Sequence, residues 1–354
     1  MASTSFTSES AACATALPRP PVDGVLGAIG ATPLVALHRF LLQPDIDVWA
    51  KLEASNPGGS AKDRPAARMI EDALASGRVG LGTTVVESTS GNTGIGLAQA
   101  CRYHGIRLIC VVDARAHGTS VRAMRALGAD VRVVTEPDPE TGDLLVARLA
   151  LVRRLLAEIP DSFWPDQYAN ASNPAAHAAG TMREIDEALA GQVDYLFVAT
   201  STTGTLRGCG DYLREHGRGT RIVAVDSSGS ALFGGVRGER RLPGFGAGVE
   251  TALSAGADFD ELVRVSDLDC VVGCRRLAAR EAILAGASSG GVAFALESAA
   301  ARMDPGSRCA VIFADGGTGY LETVYDDAWV ERELGCAAPR LAALVAEEEL
   351  SSSA

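Results

Sequence analysis

Residues 56–64 read NPGGSAKDR and place one lysine, Lys62, between a Gly-Gly-Ser turn and an Asp-Arg pair, where a helix-like segment begins. A lysine there has two chemistries open to it. Beside glycines it can hold a nucleotide phosphate. Desolvated in a pocket, with a depressed pKa, it can act as a nucleophile and then as a base. A nucleotide phosphate loop needs G-x-x-x-x-G-K-[ST]. Gly58 and Gly59 sit at the wrong spacing for that, and Asp63 follows the lysine, which disfavours the first chemistry. An ordinary exposed lysine at a helix start would use the same residues.

Four further segments carry polar groups suited to a small anionic ligand. STSGNTG (88–94) lies after a strand-like run and before a helix-like one. Its Ser, Thr and Asn side chains, with free backbone N–H groups at a helix start, can bind a carboxylate. STTGTLRG (201–208) has the same setting without a lysine, and its hydroxyls and amides suit a phosphate monoester. AGASSGG (285–291) offers a serine hydroxyl that can face a heteroaromatic nitrogen. In FWPDQYANASNP (163–174), Gln167, Tyr168 and Asn170 form a polar, aromatic patch. Taken one at a time, each segment also reads as a helix cap, a turn or a loop between domains.

The elements that must position these groups alternate between strand and helix. DVWAKL (47–52) is β-like; in 63–77, Ala66, Met69, Ile70, Ala73 and Leu74 then repeat at helical spacing, with Asp63 as N-cap and Gly77 as terminator. Strands at 83–88, 107–112 and 131–134 follow, with helices from about Thr93, near 119–127 and over 143–158. A second series has strands at 193–199, 221–226, 262–265 and 309–314, and helices from Gly204, near 271–285 and near 290–302. The strands are continuous apolar runs, which predicts mainly parallel sheets covered by helices on both faces. The Gly-rich stretch 227–249 reads as a long surface loop.

Composition bounds the function. The chain has 354 residues, enough for about two domains. A net charge of −12 leaves no electrostatic footprint for nucleic acid or an anionic membrane. No C-x-x-C pair occurs among the eight cysteines, and the five histidines are scattered, so no metal site is assigned and reduced cysteines in a cytosolic protein are expected. The first residues lack a basic region of the secretory kind, and no apolar stretch approaches a membrane span.

Together the segments resemble the cysteine synthase/cystathionine β-synthase family of pyridoxal phosphate enzymes, fold type II. The resemblance runs through IGATPL (29–34), KLEASNPGGSAKDR (51–64), STSGNTGIGLA (88–98) and AILAGASSG (282–290), and covers about 29–330. It implies an α/β fold of two domains, each a mostly parallel sheet covered by helices. The small mobile domain would span 48–165 and the large cofactor-binding domain 20–47 plus 166–338, with flexible tails at 1–19 and 339–354. It also implies roles. Lys62 would form a Schiff base with pyridoxal 5′-phosphate. Asn92 would contact the cofactor's 3′-oxygen. Thr89, Ser90, Asn92 and Thr93, with Gln167, would hold the substrate α-carboxylate. Ser201, Thr202, Thr203, Gly204 and Thr205 would cradle the cofactor phosphate, and Ser288 would meet the pyridine nitrogen.

Within that family, NPGGSAKDRPA, WPDQYAN, LPGFGAG, VGCRRL and YLETVYDDAW resemble the branch that makes N-(2-amino-2-carboxyethyl)-L-glutamate, a precursor of 2,3-diaminopropionate, from O-phosphoserine and L-glutamate. Ordinary cysteine synthases carry Gly-Thr-Gly-Gly-Thr where this chain has Ser201 to Thr205, and Phe where it has Tyr168. The hydroxyls of Ser201 and Tyr168, and the charge of Arg148, would suit a phosphate leaving group or a polar amine. One departure stands out: DGGTGY (315–320) lacks the basic residue expected there. A cysteine synthase using sulfide with O-acetylserine or O-phosphoserine remains the nearest alternative, and a non-catalytic regulatory or binding protein on the same fold is the alternative of another class. The resemblance implies small amino-acid substrates and a cytoplasmic homodimer that engages neither nucleic acid nor membrane.

Overall fold

Two sheets organise the chain, and the apolar runs of the sequence are their central strands. The computed structural model describes residues 20–41, 45–89, 91–114, 116–142 and 144–346. The larger sheet contains β1 (Leu34–Ala36), β2 (Asp47–Leu52), β7 (Tyr195–Ala199), β8 (Arg221–Ser227), β9 (Glu261–Val265) and β10 (Arg308–Phe313), in the order β1-β2-β10-β7-β8-β9. Only the β1–β2 pair is antiparallel. The smaller sheet contains β3 (Thr84–Ser88), β4 (Arg107–Asp113), β5 (Asp130–Val134) and β6 (Ser162–Phe163), all parallel, in the order β5-β4-β3-β6.

Alternate residues of each strand serve opposite helix layers, as the two-residue period of a strand requires. In the small sheet Val85, Leu108, Cys110 and Val112 pack on α1 (Asp63–Ala75) and α2 (Asn92–Tyr103), with α3 (Gly118–Ala126) beside them. Val86, Ile109 and Val111 pack on α4 (Leu144–Glu158). In the large sheet Phe197, Val223, Val225 and Val311 face α8 (Asp267–Glu281) and α9 (Ala287–Ala300). Leu196, Val198, Ala224 and Ile312 face α6 (Arg183–Ala188) and α7 (Gly204–Glu215). A short helix, α5 (Ser172–Ala176), and a π-helical turn (His177–Met182) lead into α6.

The structure differs from the sequence reading at four places. The strand at 47–52, assigned to the small domain by a boundary at 48, pairs along its whole length with β10 in the large sheet. Its partner lies near the other end of the chain, so local pattern could not place it. The segment 339–346, expected to be a tail, belongs to α11 (Ala338–Ala346), which follows α10 (Asp327–Leu334). Leu341 enters the main core, and Arg276 on α8 donates to the Leu344 and Val345 carbonyls, holding the last turn. The stretch 227–249 is no simple surface loop, because Leu232, Leu242 and Phe245 are buried and tie it to the sheet. Asp63 opens α1 but is not its cap: Lys62 holds the N-cap position, and the Asp63 carboxylate accepts from Gly58 N, closing the Gly-Gly turn. The tails expected at 1–19 and 347–354 lie outside the described residues.

Two devices fix the elements that carry the candidate site. A buried ion network joins β2, α1 and α6: Arg64 bonds Glu53 and Glu184, and Lys51 Nζ lies 2.7 Å from Glu184. Helices α8 and α9 cross at backbone contact, since a Cβ on Gly273 would collide with the Gly290 carbonyl oxygen and one on Gly290 with the Cys270 carbonyl. Gly273→Ala must therefore push the two helices apart. It should cost about 1–3 kcal/mol in urea unfolding, the usual range for overpacking. Gly219→Ala, in open space, should stay within about 0.5 kcal/mol of the parent. Equal stability of the two variants would contradict the close crossing.

Candidate active site

The carboxyl ends of parallel strands are where open α/β sheets bind ligands, and the predicted residues gather there. Lys62 is seated by backbone bonds to the end of β10: Ala61 N donates to Ala314 O (2.7 Å), and Ser60 forms a bridge with Asp315. The half-buried Lys62 lines a cleft together with Ser201, Thr202, Thr203, Thr205, Gly244 and Ser288. Burial pulls the Lys62 amine below its ordinary pKa, while the carboxylates of Asp315 and Glu53 oppose the shift. A lowered pKa is what a lysine needs to act as a nucleophile and base.

Across the cleft, the β7–α7 turn forms an anion cradle. Thr203 takes a left-handed backbone (φ 67°) at the N-cap and its side chain does not cap α7, while Thr202 Oγ1 accepts from Gly204 N (3.3 Å). The first-turn amides of such a helix lack intrahelical acceptors and favour an anion. Gly204 begins α7 and is buried. The hydroxyls are braced from behind. Asn173 Nδ2 donates to Thr202 Oγ1 (3.2 Å), Thr203 and Thr251 hydroxyls meet at 3.2 Å, and Thr205 Oγ1 is 3.3 Å from His177 Nε2. Burial pushes His177 well below the ordinary histidine pKa, so its ring is neutral near pH 7. Ser201 Oγ donates to Gly246 O (3.3 Å), and Gly246 N donates to Thr200 O (2.8 Å), which straps the 227–249 stretch to the cradle.

The third wall comes from the small sheet. Thr93 Oγ1 donates to Gln167 Oε1 (2.8 Å), Gln167 Nε2 donates to Ser88 O (3.1 Å), and Thr89 Oγ1 accepts from Gly94 N (3.0 Å). Asn92 opens α2 and donates from Nδ2 to Asp315 Oδ2 (2.8 Å). Ser90 lies outside the described residues. Arg148 is buried on α4 with its Nε 3.4 Å from an Asp113 carboxylate oxygen. Burial raises the Tyr168 pKa, and the positive charges of Arg148 and Arg240 oppose that rise, which places both guanidinium groups in its electrostatic reach. Arg240 belongs to the strap and donates to Phe245 O (3.1 Å).

Sequence reasoning missed Asp315, Tyr320, Asn173, His177, Glu87 and Arg240. Asp315 carried a usable signal, because it directly follows a central apolar strand. Tyr320 acts through nearby Asp315, and the others through neighbours far away in sequence. The expected basic residue in 315–320 has no counterpart; the segment instead contributes the Asp315 carboxylate and the Tyr320 hydroxyl, bonded at 2.9 Å. Among the described residues there is no cluster suited to a metal ion and no helix long and apolar enough to cross a membrane, and the seven described cysteines are buried without disulfides.

The donor set can be tested against a covalently held aldehyde phosphate. Such a group needs a lysine amine and a phosphate cradle on one cleft, and this cleft has both. The chain contains two lysines, Lys51 and Lys62. Lys51 donates to Thr32 O (2.7 Å) and pairs with Glu184 outside the cleft lining, whereas Lys62 lines the cleft. The pairing of amine and cradle across two helix-covered parallel sheets defines the class as fold type II. The chain belongs to the pyridoxal-phosphate dependent enzymes, whose family model matches residues 25–315. It is 42% identical over 308 residues to N-(2-amino-2-carboxyethyl)-L-glutamate synthase of Ralstonia nicotianae, covering 87% of this chain and 91% of that one. Among solved structures, it is similar to the O-acetylserine dependent cystathionine beta-synthase from Helicobacter pylori (31% identity, 86% of this chain and 99% of that one, TM-score 0.78). It is likewise similar to O-ureido-L-serine synthase (32% identity, 88% and 99%, TM-score 0.78).

Beneath the Gln167 wall lies Glu87, whose carboxyl is raised by burial to about 8 from an ordinary 4.5, against the pull of bonds from Trp164 and Gln167. The folded state therefore holds this proton more tightly than the unfolded chain. Its contribution to stability is complete below about pH 4.5 and is lost as pH rises to about 8. Glu87→Gln cannot titrate, so its urea midpoint should fall less than the parent's between pH 5 and about pH 9. Parallel pH curves for the two proteins would contradict a neutral buried Glu87.

Proposed function

We propose that this enzyme joins O-phospho-L-serine and L-glutamate to give N-(2-amino-2-carboxyethyl)-L-glutamate and phosphate, for 2,3-diaminopropionate supply to siderophore or peptide-antibiotic assembly. What carries the reading is the likeness to the Ralstonia nicotianae synthase over 91% of that protein's length. The hydroxyls of Ser201 and Tyr168, with Arg148 in reach of Tyr168, supply the polar and positive groups that a phosphorylated donor requires.

In this reading Ser201, Thr202, Thr203, Gly204 and Thr205 hold the phosphate of pyridoxal 5′-phosphate, Asn92 meets its 3′-oxygen, and Ser288 gives its ring nitrogen a neutral partner. When bound, the cofactor supplies an electron sink for charge developing at the substrate α-carbon. Thr89, Ser90, Asn92, Thr93 and Gln167 orient the α-carboxylate. Lys62 Nζ would be the attachment point; once the substrate amine replaces it there, the freed Lys62 amine takes the proton from Cα. The Cβ–O bond breaks and its electron pair leaves with phosphate, beside Arg148 and Tyr168. The glutamate amine then forms the Cβ–N bond and gives up a proton, and Lys62 returns the proton to Cα. The four-stranded unit moves toward the larger sheet to exclude water during these steps. The enzyme works as a cytoplasmic homodimer.

The test is to give the purified holoenzyme O-phosphoserine with ¹⁵N-labelled glutamate and follow product mass and phosphate. Labelled N-(2-amino-2-carboxyethyl)-glutamate and phosphate should appear in equal amounts. Turnover only with sulfide, yielding cysteine from O-acetylserine or O-phosphoserine, would contradict the proposal.

A further inference from the structure

One buried carboxylate meets three of the four motifs of the cleft, those of Lys62, Asn92 and Ser288, and no role in the chemistry described above uses it. Asp315 sits at the end of β10 and is 6% exposed. Its backbone forms a bridge with Ser60, two residues before Lys62, and its carbonyl accepts from Gly286 N (3.0 Å), just before the helix that carries Ser288. Its Oδ2 accepts from Asn92 Nδ2 (2.8 Å) and from the Tyr320 hydroxyl (2.9 Å). Its Oδ1 is buried with no hydrogen bond in the described structure and faces Gly286, where any added Cβ would collide with it.

We propose that Asp315 is a positioning residue for the reaction: its carboxylate clamps Asn92 from the small sheet onto the strand end that seats Lys62 and Ser288, and it keeps a negative charge beside the Lys62 amine. The geometry suits both tasks. A carboxylate accepting from a side-chain amide fixes which way that amide points. The amide's second N–H is then free to serve the cleft. A charge in a low-dielectric pocket also biases the protonation of an amine far more than one in water.

The titratable groups around Asp315 come from several elements. Lys62 precedes α1, His117 precedes α3, Cys274 lies on α8, and Tyr320 follows β10. His117 packs edge-on against Tyr320, with ring centroids 5.6 Å apart, so the small sheet meets this cluster at a second point besides Asn92. Burial raises the Asp315 carboxyl above the ordinary carboxylate pKa, and the bonds from Asn92 and Tyr320 and the charge of Lys62 oppose that rise without cancelling it.

The proposal rests on Lys62 as the attachment point, and its test separates the two ideas. Asp315→Asn keeps the shape and an acceptor for Asn92 but removes the charge. In the holoenzyme, the pH midpoint of the bound cofactor's visible absorbance change should fall by about one unit or more, because the lysine nitrogen loses its anionic neighbour. The dissociation constant of pyridoxal phosphate should rise, and kcat should fall by about 10-fold or more while the KM for the amino-acid donor changes little. A purely structural role would lower the melting temperature and leave the spectral midpoint in place, and that result would overturn the proposal. If Asp315→Asn fails to fold, Asp315→Ser removes the same charge with a smaller side chain, and an unmoved midpoint in that variant overturns it equally. A parent protein whose cofactor spectrum vanishes in Lys51→Ala but survives in Lys62→Ala would instead defeat the attachment reading.

Discussion

The pairing of Arg64 with Glu53 and Glu184 is the constraint on which the site depends. Arg64 follows Lys62 by two residues, and its guanidinium reaches both carboxylates in a nearly dry setting. Burial alone would raise the Glu184 carboxyl; Arg64 and Lys51 reverse that and hold it at about 2. Removing four charges from water is expensive, and such networks are seldom retained for net stability. What this one supplies is position. It joins the 53–64 loop to α6 and to the 30–32 turn, where Thr32 donates to Glu53 and Asn56 accepts from Gly30 N. A loop tied this tightly can present one amine to a cleft without letting it relax into solvent.

The cleft follows from how parallel sheets end. Each strand delivers its last residue to the same edge, and the helix that follows starts there with amides that lack internal acceptors. Lys62 enters beside the end of β10, the threonine-rich cradle follows β7, and the Asn92 wall follows β3. The chain as a whole is acidic, yet Arg148 and Arg240 bring positive charge to this edge near Tyr168.

Much of this was legible in the sequence, and the reasons are physical. Alternating apolar runs and helical spacing located the strands and helices because those patterns are local. Lys62, residues 201–205 and Ser288 could be singled out because each sits in a short motif whose residue types suit one ligand group, and the structure brings them to one cleft. What was hidden depends on distant pairing. The Asn92–Asp315 bond joins residues 223 positions apart, and β2 finds its partner in β10. The strap at 227–249 looked like a surface loop because glycine dominates it, yet Leu242 and Phe245 anchor it to the core. The C-terminal helix was missed because its stability comes from Leu341 packing and from Arg276, neither of which local composition reveals.

The central claim is that the Lys62 amine carries the cofactor. Borohydride reduction of the holoenzyme followed by peptide mass mapping tests it directly, because only two side chains in the protein can hold the label. The account predicts the reduced pyridoxyl group on Lys62, with Lys51 unmodified. A label on Lys51, or on neither lysine, would contradict it.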